Sequence, residues 1–124
     1  MPKILVVDDD EMTNDVFRLH LTKAGYTVET ARDGLEGLGK ASSFMPDLIL
    51  LDVNMPRMSG FEVAKKLKED KETSHIPIFI MSALRQDVNI KKGYELGIEE
   101  YFTKPTNLES LKLRIKKFLE TKTR

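Results

Sequence analysis

The chain has 124 residues, 40% of them apolar, and its 20 Lys plus Arg are balanced by 20 Asp plus Glu. That length suits a single domain with its own core, and the absence of cysteine excludes disulfides, zinc–thiolate sites and thiol catalysis. A formal net charge of zero leaves no global basic field for nucleic acid or anionic lipid, and no run approaches a membrane span or signal peptide, so a soluble cytoplasmic protein is expected.

The first predicted element is the apolar run Lys3-Ile4-Leu5-Val6-Val7, which lacks polar alternation and so reads as a strand covered on both faces. It stops abruptly at Asp8-Asp9-Asp10-Glu11. Adjacent carboxylates repel one another and are costly to desolvate without a cation nearby, so packing alone does not account for the cluster. Asp10 has the simplest explanation, as cap of the helix expected over residues 11–24. That helix has Val16, Leu19 and Leu21 as apolar positions and stops at Gly25. Tyr26-Thr27-Val28-Glu29-Thr30 alternates and reads as an edge strand.

A second helix is expected over 34–43, where Gly37 and Gly39 lower the intrinsic helicity and favour mobility. The apolar run at 48–51 is a second buried strand, delivering Asp52 at its carboxyl end. The helix over 60–69 opens with the capping box Ser59-Gly60-Phe61-Glu62. Residues 77–81 form a third buried strand that delivers Ser82 just beyond it, and a helix over 87–96 stops at Gly97. The half-polar stretch 99–103 reads as another edge, followed by Lys104-Pro105. The last helix, 107–121, carries Leu108, Leu111, Ile115, Phe118 and Leu119 on one stripe and is expected to open with a Thr106-Asn107-Leu108-Glu109 capping box. Lys112, Arg114, Lys116, Lys117, Lys122 and Arg124 crowd this region, as a solvated face or a docking face.

Five βα units in strict alternation imply an α/β fold with a parallel sheet and helices on both faces. With strands two and five as edges, the order 2-1-3-4-5 follows from right-handed crossovers. Ligands in such sheets sit beyond the carboxyl ends of the strands, where strands one and three diverge. Asp8, Asp9, Asp52, Ser82 and Lys104 all come from strand ends at that edge. Oxygen-only ligands without histidine or cysteine suit Mg²⁺. A carboxylate such as Asp52 can act as a nucleophile toward phosphorus when a metal shields its charge. Three aspartates against Mg²⁺ and Lys104 leave the loaded site roughly neutral.

The acidic pair Asp8-Asp9, "LILLDVNMPRMSG" around Asp52, "IMSA" with Ser82 and "GIEEYFTKP" with Lys104-Pro105 together resemble the receiver domains of two-component response regulators, over essentially the whole chain. The resemblance implies a single receiver domain, residues 1–124, of flavodoxin-like (βα)5 fold. It further implies that Asp52 is the phosphoacceptor, charged from the histidine of a sensor kinase or histidine phosphotransfer protein. Asp9 would hold Mg²⁺ directly, Asp8 largely through water, and Asn54 through its main-chain carbonyl. Ser82 and Lys104 would engage the phosphoryl group, across a cis Lys104–Pro105 peptide. Tyr101 would be the switch aromatic, and the fourth helix, fifth strand and fifth helix would form the face that meets a downstream target. Such a protein catalyses only its own phosphorylation and dephosphorylation. It is not an enzyme with a diffusible substrate.

Three rival readings share parts of this pattern. A Mg²⁺-dependent phosphohydrolase needs a second acid two residues after its nucleophile, where this chain has Asn54. A flavodoxin-like cofactor binder needs a phosphate-cradling loop, where Asp8-Asp9-Asp10 would repel phosphate. A receiver that serves as an unphosphorylated scaffold would not require Asp9, Asp52, Ser82 and Lys104. His20 and His75 are assigned no phosphotransfer role.

Overall fold

The computed structural model describes residues 1–122, and its elements follow the expected boundaries to within one residue. They are β1 (Lys3–Val7), α1 (Glu11–Lys23), β2 (Thr27–Ala31), α2 (Gly34–Phe44), β3 (Leu48–Asp52), α3 (Gly60–Glu69), β4 (Ile78–Ser82), α4 (Asp87–Glu95), β5 (Glu100–Thr103) and α5 (Leu108–Lys122). The strands are parallel, in the order β2-β1-β3-β4-β5. β3 and β4 each run one residue beyond their apolar stretch, which makes Asp52 and Ser82 the last residues of their strands.

Period-two geometry divides the interior into two layers. Leu5, Val7, Ile49, Leu51, Ile78 and Ile80 face one core, shared with Ala41 of α2 and Val63, Ala64 and Leu67 of α3. Their neighbours Ile4, Val6, Leu48, Leu50, Phe79 and Met81 face the other, closed by Phe17 and Leu21 of α1 and Leu111, Ile115 and Leu119 of α5. Every residue of β3 and β4 is buried. That explains why these strands read as unbroken apolar runs, while the partly exposed β2 and β5 did not.

Local details depart from expectation. Val16 and Leu19 are 43% and 55% exposed; the buried face of α1 is Asn14, Phe17 and Leu21 instead. The cap of α5 is Asn107, whose Oδ1 accepts from the Ser110 N–H at 2.9 Å, whereas the Thr106 hydroxyl is buried without a hydrogen-bond partner. Gly37 is a packing residue in a continuous helix, since a Cβ there would meet the Val7 methyls at 3.0 and 3.1 Å. In the basic final helix, Lys112 pairs with Glu109 and Arg114 with Glu100; Arg124 and the Lys122 side chain lie outside the described residues.

Met45 ends α2 in the left-handed region (φ 51°, ψ 62°) with its side chain well exposed. An L side chain there costs about 1–2 kcal/mol, part of which glycine's extra freedom in the unfolded chain takes back. Met45→Gly is therefore expected to raise stability by ~0.5–1 kcal/mol in urea unfolding. A loss of stability would mean that the methionine packs rather than merely terminating the helix.

Candidate functional site

The four acids after β1 have separate surroundings. Asp8 is 1% exposed; its main-chain N–H donates to Ala31 O at 3.1 Å, and its Oδ1 accepts from the Asp10 N–H at 2.9 Å. Asp10 caps α1, accepting from the Met12 N–H and the Thr13 hydroxyl. Asp9 and Glu11 are exposed. The buried Asn14 amide locks this turn by donating to the carbonyls of Asp8 and Ala31, at 2.8 and 3.2 Å. Sequence reasoning missed Asn14, although a lone polar residue at helical spacing from Phe17 and Leu21 is a usable signal.

Asp52, 4% exposed, ends β3 beside β1. Its carboxylate and those of Asp8 and Asp9 can bring one oxygen each within 4.8 Å of one another. Lys104, just past β5, reaches both buried acids, with Nζ 3.0 Å from Asp52 Oδ1 and 3.2 Å from Asp8 Oδ2. Ser82 is fully buried at the end of β4; its Oγ accepts from the Leu84 N–H at 3.0 Å and its carbonyl accepts from the Lys104 N–H at 2.7 Å. The Lys104–Pro105 peptide is cis. Asn54 is exposed in the loop after β3. His20 lies in the last turn of α1 and His75 in the loop before β4.

The backbone under Asp52 has no slack. A Cβ on Gly60 would lie 2.2 Å from the Asp52 carbonyl oxygen and 2.8 Å from Val53 Cα, and the Gly60 N–H donates to Val53 O at 2.9 Å. The first turn of α3 thus presses directly on the strand end that carries the carboxylate.

Electrostatics show what the crevice lacks. Burial pushes the Asp52 carboxyl up to about 6; the hydrogen bond from Lys104 opposes this, while the charges of Asp8 and Asp9 add to it. Asp8 is likewise raised by burial, against the Asp10 N–H and Lys104. Burial alone would lower Lys104, but its hydrogen bond and attraction to Asp52, together with Asp8, outweigh it and raise the ammonium. One lysine therefore does not neutralise three clustered carboxylates. The all-oxygen donor set and this shortage of positive charge both fit a hard divalent cation such as Mg²⁺, which Asp8, Asp9 and Asp52 could hold.

Two further contacts extend the site toward the surface. The Tyr101 hydroxyl donates to Leu84 O at 2.8 Å, so one residue, Leu84, is tied to Tyr101 by its carbonyl and to Ser82 by its N–H. On the other side, Met12, Thr13, Val16 and Phe17 of α1, with Lys104, Pro105 and Thr106, line an apolar cavity of about 340 Å³.

Fold and site together define a doubly wound α/β protein with an acidic crevice at the carboxyl ends of β1 and β3. Sequence comparison supplies the family: residues 4–116 match the response regulator receiver domain, and the chain belongs to that family. It is 37% identical to the polar-differentiation response regulator DivK of Brucella anthropi, covering 96% of this chain and 98% of that protein. It is 38% identical to the DNA-binding dual master transcriptional regulator RpaA of Synechocystis and 41% identical to the alkaline phosphatase synthesis regulator PhoP of Bacillus subtilis. Those matches take in 96% and 94% of this chain, which spans about half the length of each relative (49% and 48%). Among solved structures, chemotaxis protein CheY4 of Vibrio cholerae superposes with a TM-score of 0.88 at 35% identity, covering 94% of this chain and 98% of that one.

Proposed function

We propose that the chain is a phosphorylation-driven switch. The Asp52 carboxylate attacks the phosphorus of a phosphohistidine on a sensor kinase or phosphotransfer protein. A P–O bond to Asp52 forms as the P–N bond breaks, and the imidazole nitrogen keeps the bonding pair. The observation that carries this reading is the convergence of Asp8, Asp9, Asp52 and Lys104 from three strand ends on one charge-deficient crevice. Mg²⁺, held by Asp8, Asp9, Asp52 and the Asn54 carbonyl, would supply the charge that lets an anionic phosphoryl group approach an anionic nucleophile.

The chain's own groups do the rest. Lys104, now bridging Asp8 and Asp52, pairs with a phosphoryl oxygen. The Ser82 hydroxyl leaves the Leu84 N–H and donates to another. Leu84 then loses one of its two tethers, which frees the loop that Tyr101 holds from the far side. The bistable face is α4–β5–α5, where a downstream protein binds. The exposed Met12 and Val16, beside Lys104 and Pro105, offer the phosphodonor an apolar landing surface. We assign residues 1–124 to one receiver domain, acting in the cytoplasm through protein contacts rather than by direct binding of nucleic acid. It catalyses only its own phosphorylation and the slow loss of the phosphoryl group.

Intact-mass measurement after incubation with acetyl phosphate tests this. A single phosphoryl adduct is expected that requires Mg²⁺ and is absent from Asp52→Asn. Folded, Mg²⁺-supplied protein that forms no adduct from acetyl phosphate or from a phosphorylated histidine kinase would leave a scaffold in place of a switch.

A further inference from the structure

We infer that Arg85 is a positioning residue for Lys104, holding the main-chain origin of the lysine side chain from the β4–α4 side of the site. This rests on the phosphoacceptor reading above and adds a residue outside the crevice to it. Arg85 Nη2 donates to the Lys104 carbonyl at 2.8 Å. On the other flank of the same residue, the Lys104 N–H donates to the Ser82 carbonyl at 2.7 Å. Both flanking peptides of Lys104 are thus fixed by the β4–α4 segment, one by the residue that begins it and one by its exposed arginine.

The arrangement matters because of lysine's length. Four rotatable bonds separate the Lys104 Cα from the ammonium, which must meet both Asp8 and Asp52. β5 ends at Thr103, so no further ladder bond steadies the Lys104 carbonyl, and the next residue is a proline without an N–H. An arginine fork reaching across from residue 85 supplies the missing tether. The same residue belongs to the segment that Ser82 and Tyr101 hold through Leu84. Movement of this segment therefore also moves the support of Lys104, and phosphorylation chemistry is coupled to the conformation of the loop that leads into α4.

A double-mutant cycle tests it, using the full chain with Mg²⁺ and acetyl phosphate and reading the initial rate of adduct formation by intact mass. Arg85→Ala should lower the maximal rate about three- to tenfold, with the half-saturating acetyl phosphate concentration little changed, and Arg85→Lys should recover most of the loss. In a Lys104→Ala background the same Arg85→Ala change should have no further effect. Because the guanidinium is exposed, melting temperature should move by no more than about 2 °C.

An equal fold-loss in both backgrounds would overturn the inference, since Arg85 would then act by its charge alone. A rate matching the unaltered protein, or a large drop in melting temperature, would overturn it too. Failure of the underlying reading looks different: the unaltered chain would then form no adduct on Asp52, whatever residue stands at position 85.

Discussion

Asp52→Asn is expected to remove the phosphoryl adduct entirely while making the metal-free protein more stable, by about 1–3 kcal/mol at pH 7. The sign follows from burial. A carboxyl lifted from 3.8 to about 6 holds its proton more tightly in the fold than in the unfolded chain. Its contribution to stability is therefore full below pH 3.8 and is lost as pH rises toward 6 and beyond, at a cost near 3 kcal/mol once it is ionised. Asparagine escapes that cost but weakens the contact with Lys104, which keeps Asp8 as a partner; the net gain is accordingly smaller.

Urea unfolding of both proteins at pH 3.5 and pH 7, without divalent cation, measures it. The gap should be narrow at the lower pH and wide at the higher. Adding Mg²⁺ should close it, because a cation held by the native aspartates would stabilise the unaltered chain by mass action. A variant less stable than the parent at pH 7 would mean that the Lys104 contact outweighs desolvation.

Gly60→Ala carries the second large expectation, a loss of about 3–5 kcal/mol and a fall in melting temperature on the order of 10–20 °C. The added methyl would lie 2.2 Å from the Asp52 carbonyl oxygen, and backbone pressed on backbone has no side chain that can swing aside. Gly39→Ala is the internal control. It makes the same chemical change within a helix, with nothing within 4 Å of the new atom, and should stabilise by ~0.5–1 kcal/mol. Calorimetry on the two variants decides. Similar melting temperatures would remove steric contact as the reason for glycine at position 60. Surviving Gly60→Ala protein should also phosphorylate poorly, since any relief of the clash displaces the strand end that aims Asp52.

Strand order, edge assignment and the four strand ends that build the crevice were legible because each rests on a pattern the sequence carries directly. Burial on both faces gives unbroken apolar runs, and Asp8, Asp52 and Lys104 are side chains whose chemistry is visible as letters. What escaped was interaction with main-chain atoms. The tether from Arg85 to the Lys104 carbonyl, the double anchoring of Leu84 and the Asn14 bonds to Asp8 and Ala31 all end on groups that every residue possesses. The outward face of α1 was misjudged for a related reason. Val16 and Leu19 look like core residues by type, and only the position of α1 on the sheet leaves them in solvent, Val16 beside Lys104. At the start of α5, Thr106 and Asn107 are both good capping types, and local geometry selected the second.

Asp8, Asp52, Ser82 and Lys104 are distant along the chain and meet only because β1, β3, β4 and β5 are all in place. No fragment holding fewer than these four strands contains all four of these side chains together. On the proposed reading, taking a phosphoryl group requires all four strands in place, so a partly unfolded copy is expected to form no adduct.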